Sequence, residues 1–319
     1  MDNMELLIRN GPVFYQPVLE EPVIWETERR GMPGKLTFSV VNDGQISFQE
    51  GNPVRLKLNG SNVFYGFVFS KKRNKEQIIS VTAYDQLRYF KNKDTYVYKN
   101  RTASSLLKLI AADFNLKTGN VADTRYAIPS RIEDNKTLFD IMQNALDLTL
   151  QNRGKLYILY DDFGSLALRD VEQMKLDLVV GETTAEDFEY STSIDGETYN
   201  RIKLSFPNEK SGKRDIYIAQ DGGNINAWGV LQYYDTLQEN ENGKAKADAL
   251  LKLMNKKDRS LEFKNVLGDL RVRAGSSVIV YLRGLGDISV QNYMMVEKAK
   301  HKFQNGEHLM DLSLRMGDF

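Results

Sequence analysis

Apolar and polar positions alternate in short runs along the first hundred residues. ELLI (5–8), EPVIWETE (21–28), KLTFSVV (35–41), PVRLKLN (53–59), NVFYGFVF (62–69) and EQIISVTAY (76–84) are rich in β-branched and aromatic residues and are separated by Gly, Asn or Asp. A two-residue period directs one face of each run to a core, and the turns between them predict a small antiparallel barrel or sandwich. From Thr102 the period becomes helical: Thr102 suits an N-cap, and Leu106, Leu107, Ile110, Ala111 and Phe114 follow on one stripe. A second helix is expected over 137–150, with Leu138, Ile141, Met142, Ala145 and Leu148 aligned. KLYILYDDFGSLALRD (155–170) then reads as a hairpin turning at Asp162-Phe163-Gly164. Strands resume with RIKLSF (201–206) and RDIYIA (214–219), a helix is expected at 241–256 through Ala245, Ala249, Leu250 and Leu253, and strands follow near 259–264, 277–283, 292–303 and 307–315. The fold class is mainly β with an α+β insertion. Three domains are expected: a first β-barrel over 1–98, a helix-hairpin domain over 99–180, and a second, similar β-barrel over 181–319 carrying the inserted helix.

The two ends of the chain match. EGNPVRLKLNG (50–60) aligns with AGSSVIVYLRG (274–284), pairing Gly51 with Gly275, Val54 with Val278, Leu56 with Val280, Leu58 with Leu282 and Gly60 with Gly284. FYGFV (64–68) aligns with NYMMV (292–296), and QIISVTA (77–83) with HLMDLSL (308–314). Alternation alone matches many sequences, so the weight falls on the kept order and glycines. Two repeats in one chain double the apparent symmetry of any ring the chain builds, which suits a molecule joining rings of different order. Within the first repeat, VFYGFVF (63–69) has no charged or amide side chain on either face. Another domain or another chain must cover it, since an apolar strand left bare aggregates. Contact between chains is the expectation, with Phe64, Tyr65 and Phe67, and Tyr293 and Met295 in the second repeat, as candidate interface residues.

The chain has two histidines, both near its end in VEKAKHKFQNGEHLMDLSLRM (296–316). Asn305-Gly306 is a strong two-residue hairpin turn. It sets His301 opposite Met310 and gathers Ala299, His301, Phe303, His308, Met310, Leu312 and Leu314 on one face, with Lys298, Lys300, Lys302, Asp311, Ser313 and Arg315 on the other. A zinc site needs three or four ligands, and no Asp or Glu joins the histidines on that face. They read as packing residues of a hairpin.

Totals narrow the function further. Lys+Arg and Asp+Glu both number 43, so no net charge recruits nucleic acid or an anionic membrane. The absence of cysteine excludes disulfides and thiolate chemistry and suits a reducing cytoplasm. The amino terminus lacks the basic and apolar regions of a signal peptide, and no apolar run approaches the ~18 residues of a membrane span. The sequons at Asn59, Asn100 and Asn135 are then chance matches. Asp162-Phe163-Gly164 has no accompanying kinase motifs, Ser211-Gly212-Lys213-Arg214 lacks the rest of a phosphate loop, and Ser276 and Ser277 form no nucleophile elbow. Asp161 and Asp162 are the carboxylate pair a wall hydrolase would need, in a groove that sequence does not display. Trp228, Tyr233 and Tyr234 suit a glycan or receptor surface but fit packing beside the following helix better. The cluster Lys71-Lys72-Arg73-Asn74-Lys75 reads as a solvated turn. No catalytic residue, metal ligand or cofactor is expected.

An ordered series of segments resembles one family. TAYDQLRYF (82–90), TASSLLKLIAADFNLKTGNVADT (102–124), TLFDIMQNAL (137–146) running into GKLYILYDDFGSLAL (154–168), NRIKLSF (200–206), WGVLQYYDTL (228–237), LGDLRVRAGSSVIV (267–280) and VEKAKHKFQNGEHLMDLSL (296–314) together resemble the baseplate hub proteins of contractile phage tails and phage-tail-like bacteriocins, of the XkdQ/YqbQ type. The resemblance spans nearly the whole chain, and no single segment is diagnostic. It implies a relative of the T-even phage hub: three chains, each with two barrels, forming a ring of approximate six-fold symmetry between a hexameric tail tube and a trimeric spike. The implied partners are a second and third copy of the chain, the tube protein, the spike and other baseplate proteins. The implied location is the bacterial cytoplasm during assembly and then the tail particle. Spike-fused relatives continue into a long β-helix, so ending at Phe319 implies a spike on a separate polypeptide.

Overall fold

Strand Pro53–Leu58 shows why the alternating runs become sheet: Val54, Leu56 and Leu58 are buried while Pro53, Arg55 and Lys57 face outward. It pairs antiparallel with Ser61–Arg73, which pairs with Ile78–Tyr84, then Lys35–Val41, then Leu19–Glu28; on the other side lie Met4–Asn10 and Val13–Tyr15. Leu6, Val23, Phe38, Leu56, Val68 and Val81, from six of these strands, meet in one core, so the sheet curls round it. The computed structural model describes residues 3–208, 212–237, 242–283 and 290–316.

The second half repeats this layout. Ser277–Leu282, Val290–Gln304, Glu307–Arg315 and Asp258–Leu267 follow in the same order, ending in Asp187–Ser193. The correspondence holds residue by residue. Val54 faces Gly66, as Val278 faces Met294; Val68 faces Ala83, as Val296 faces Leu314. One residue bulges at the same place in both ladders, between Val68 and Ser70 and between Val296 and Lys298. The turns before the repeats also agree: Gly51 N–H donates to Val68 O and Gly275 N–H to Val296 O, each at 2.8 Å. Asn52 Oδ1 accepts from Gln49 N, as Ser276 Oγ accepts from Arg273 N. Gly284, the expected counterpart of Gly60, lies outside the described residues.

The expected pair of closed barrels gives way to one 13-stranded sheet. The reason is strand length. Val290–Gln304 has 15 residues, enough to hold Ser277–Leu282 along its first part and Leu19–Glu28, from the first repeat, along residues 298–303. Edge hydrogen bonds that could close a barrel instead join the repeats, and among the described residues no ladder closes either curl. The repeats also differ at one flank. Met4–Asn10 runs antiparallel to Pro53–Leu58, whereas its counterpart Lys175–Gly181 runs parallel to Ser277–Leu282.

The chain forms two compact units, one of residues up to Glu189 and from Leu261 onward, the other of Tyr190–Ser260. The first unit includes helix α1 (Ala103–Asp113) and helix α2 (Leu138–Arg153), capped by Thr102 and Thr137, whose hydroxyls accept from Ser105 N and Asp140 N. Leu106, Leu107 and Ile110 of α1 meet Leu138, Ile141, Met142 and Ala145 of α2 over the hairpin Tyr157–Asp161/Leu166–Asp170. A two-stranded ribbon, Lys93–Arg101 against Ile128–Thr137, was not foreseen from the alternation. In the second unit Arg201–Asn208 lies between Lys213–Gln220 and Gln232–Thr236, a short helix α3 spans Gly222–Trp228, and helix α4 spans Gly243–Met254. This last helix buries Gly243, Ala247 and Leu250, so the expected stripe is rotated: Ala245 and Ala249 are exposed. Leucine fixes the buried side, and the three- and four-residue steps back from Leu250 reach Ala247 and Gly243.

Candidate assembly surfaces and a buried polar junction

The strand Ser61–Arg73 has both faces engaged. Phe64 and Val68 point into the core, while Tyr65, Phe67 and Phe69 alternate outward and are half-buried. Tyr65 lies 5.9 Å from Phe163, the tip of the 162–165 turn, and Phe67 and Phe69 lie 6.5 and 6.1 Å from Tyr89 of the short helix Gln86–Lys91. Arg88 caps Phe69 at 5.2 Å. On the buried side, Gly66 lets this strand sit close to the next, because a Cβ there would come within 2.3 Å of Tyr84 O. Much of the cover that the sequence demanded therefore comes from the chain itself.

The five candidate interface residues divide accordingly. Phe64 and Met295 are only 3% and 2% exposed. Met295, the counterpart of Phe67, packs with Leu156, Ile158, Tyr160, Ala167 and Met174, so the α+β region rests on the outward face of both repeats. Tyr65, Phe67 and Tyr293 keep part of their rings at the surface, and Lys175 Nζ stands 5.4 Å from the Tyr293 ring.

Beneath this contact lies a polar junction that the sequence reading missed. The Arg273 guanidinium stacks 4.0 Å from the Tyr160 ring and donates to Asp161 O at 2.8 Å. The Asp85 carboxylate accepts from Gly34 N at 2.8 Å and Leu87 N at 2.9 Å. Asp161 accepts from Gly164 N at 2.6 Å and Gln86 Nε2 at 3.2 Å. Burial, then the neighbouring Asp161 charge, holds the Asp85 carboxyl well above the usual carboxylate range; burial likewise raises Asp161 and lowers Arg273. Two carboxyls with raised pKa are what an acid catalyst needs. Here both are buried, their oxygens hold backbone and amide donors, and they tie the first repeat, the second repeat and the hairpin together. A cleft elsewhere in this unit, lined by Arg29, Met32, Phe139, Met142, Gln143 and Tyr157 among others, has no carboxylate in its wall. One sign of the junction was available in the repeat itself. Arg273 stands where the first repeat has Gln49, a charge introduced at a turn whose backbone hydrogen bonds match.

The remaining motifs resolve into structure. Asp162 N–H donates to Ser165 O across a turn whose central residues, Phe163 and Gly164, have φ of 49° and 85°. Phenylalanine is unusual in that left-handed region, and its ring is the one on Tyr65. Ser276 Oγ donates to Arg273 O at 2.7 Å. Ser211 lies outside the described residues. Tyr233 packs in the core of the second unit, whereas Tyr234 is exposed. The 71–75 cluster is exposed. His301 is fully buried, stacked 4.5 Å from Trp25, and both its ring nitrogens are used. Val272 O, 3.0 Å from Nε2, can only accept, so Nε2 carries the proton and Nδ1 accepts from His308 Nε2 at 2.8 Å. Burial, then the His308 charge, pushes the His301 pKa down to about 3.

Comparison with known proteins agrees with this architecture. A family described as YQBQ-like matches residues 23–315. Two curated relatives come from Bacillus subtilis (strain 168). The uncharacterized protein YqbQ is 30% identical over 93% of this chain and 92% of its own length. The phage-like element PBSX protein XkdQ is 31% identical over the same shares, 93% and 92%. Among solved structures, the 43 kDa tail protein of prophage MuSo2 from Shewanella oneidensis has the same fold, with a TM-score of 0.70 at 14% identity over 97% of this chain and 98% of that one. The E. coli c3393 protein, a type VI secretion component described as similar to the T4 tail proteins gp27 and gp5, matches with a TM-score of 0.60 at 10% identity over 99% and 77%. The fold is that of phage tail proteins.

Proposed function

The chain belongs to the YQBQ-like family, and on that premise we propose that it is the structural hub of a phage-type tail baseplate. Three chains, six repeats in all, form a ring of approximate six-fold symmetry. The ring adapts a hexameric tail tube to a trimeric spike and is held by other baseplate proteins. Its function is assembly without chemistry, first in the bacterial cytoplasm and then in the particle.

The observation that carries this reading is the repeat: two meanders matched in register, bulge and turn, lying side by side in one sheet. An exact three-fold ring of such chains presents six similar faces to one partner and three to another. The curled repeats form the ring wall, each a barrel-like unit in the assembled state. The region 99–180 buttresses it from outside, consistent with its contacts to Tyr65 and Met295. Tyr65, Phe67 and Tyr293 are proposed as interface residues, with Phe64 and Met295 supporting them from beneath. The likeness of XkdQ and of the type VI component supports a tail or spike setting for this chain. The buried, donor-filled carboxyls give the hydrolase alternative no support. Light scattering of the purified chain across concentrations tests the reading: a stable three-chain mass is expected, and a two-fold dimer at every concentration would contradict it.

A further inference from the structure

The ladder that joins the two repeats has an unfilled counterpart at each end of the chain. In the filled joint, residues 298–303 carry Leu19–Glu28 along one edge, with Lys298 opposite Glu28, Lys300 opposite Glu26 and Phe303 opposite Val23. The shared register maps 298–303 onto residues 70–75 of the first repeat. Sheet order maps Leu19–Glu28 onto Asp187–Ser193, because each ends its repeat beyond a strand that pairs with the last strand of the meander. Residues 74–75 open the turn to Ile78, so by this symmetry residues 70–73 should carry a strand like Asp187–Ser193. Yet among the described residues, beyond Val68 the Ser61–Arg73 strand is paired on the Ile78–Tyr84 side alone, and Asp187–Ser193 stands at the end of the sheet's strand order. Among the described residues no further strand is paired to either edge, and an unpaired strand edge is a template for another strand.

Their charges are complementary in the sense of the filled joint. Lys71, Lys72, Arg73 and Lys75 are exposed along one edge, and Glu186, Asp187 and Glu189 are exposed on the other. The filled joint likewise sets lysines of the long strand against glutamates of its guest. We propose that Asp187–Ser193 of one chain adds antiparallel to residues 70–73 of the next, repeating between chains the joint that already exists within each. Such a contact is head-to-tail, so successive chains close into a ring once the rotation per repeat completes a circle. The basic cluster is then a joint, and the apparently unfinished sheet is finished by a second copy. The strand assignment stands on the repeat; the closure at three chains rests on the hub reading above.

The chain has no cysteine, so engineered cysteines report without background. Lys72→Cys, at the position of Lys300, is combined in turn with Glu189→Cys, Ser191→Cys and Ser193→Cys. After mild oxidation, one double variant should give disulfide-linked dimers and trimers on a non-reducing gel, and the single variants should give no ladder. A three-chain native mass with no cross-link in any combination overturns this joint and leaves the hub reading intact. A ladder running past three chains keeps the joint and overturns the three-chain hub. A monomeric, uncross-linked chain overturns both.

Discussion

His301 shows how a residue that suggests chemistry can be absorbed by structure. Its placement on the apolar face of a hairpin was legible, because Asn305 and Gly306 take the positive φ values, 54° and 73°, that a tight turn needs. Its stack on Trp25 was not, since that contact joins residues 276 positions apart across the joint between repeats. Folding holds the imidazole neutral with a pKa of about 3, while an unfolded histidine titrates near the reference value of about 6.5. The unfolded state therefore takes up the proton first. The His301 contribution is fully present above that reference value and is lost as pH falls toward 3, at about 1.4 kcal/mol per pH unit. Asp85 acts in the opposite sense: its raised pKa favours the fold most in acid, and that contribution fades as pH rises above the ordinary carboxylate range. Denaturant unfolding at pH 7, 6 and 5 should show wild type weakening more steeply than His301→Gln. Parallel pH profiles would mean that His301 does not titrate as a buried group.

Elements set by short-range pattern were readable. The Thr-capped helices, the 155–170 hairpin and the paired meanders all follow from local periodicity and turn residues. The ribbon formed by Lys93–Arg101 and Ile128–Thr137 escaped because it buries Tyr96, Tyr98 and Ile128 while exposing Val97 and Ile132, so no run of apolar residues announces it. The paired turns at Gly51 and Gly275 test the repeat at this scale. Both glycines have positive φ, 86° and 91°, so alanine strains either backbone by roughly 1 kcal/mol. At Gly51 a Cβ meets nothing within 4 Å, whereas at Gly275 it would lie 2.4 Å from Ile158 Cγ2. Overpacking of that kind adds about 1–3 kcal/mol. Gly275→Ala should therefore lower stability by clearly more than Gly51→Ala in equilibrium unfolding. Equal losses would show that the hairpin does not press on the second turn.

At the scale of the molecule, the repeat could be read from matching glycines and alternation, but its consequence could not. Whether a curled meander closes on itself or hands its edge to a neighbour depends on which strands are long enough to hold two partners. Pattern alone does not say that residues 298–303 receive Leu19–Glu28. The buried meeting of Asp85, Asp161 and Arg273 is hidden for the same reason: three segments far apart in sequence supply one group each. The paired repeats are proposed to build a ring of three chains. Electron microscopy of the purified assembly, viewed down its axis, tests this most directly. Class averages with exact three-fold symmetry and six nearly equivalent inner lobes are predicted. Two-fold particles, or rings with any number of chains other than three, would contradict it.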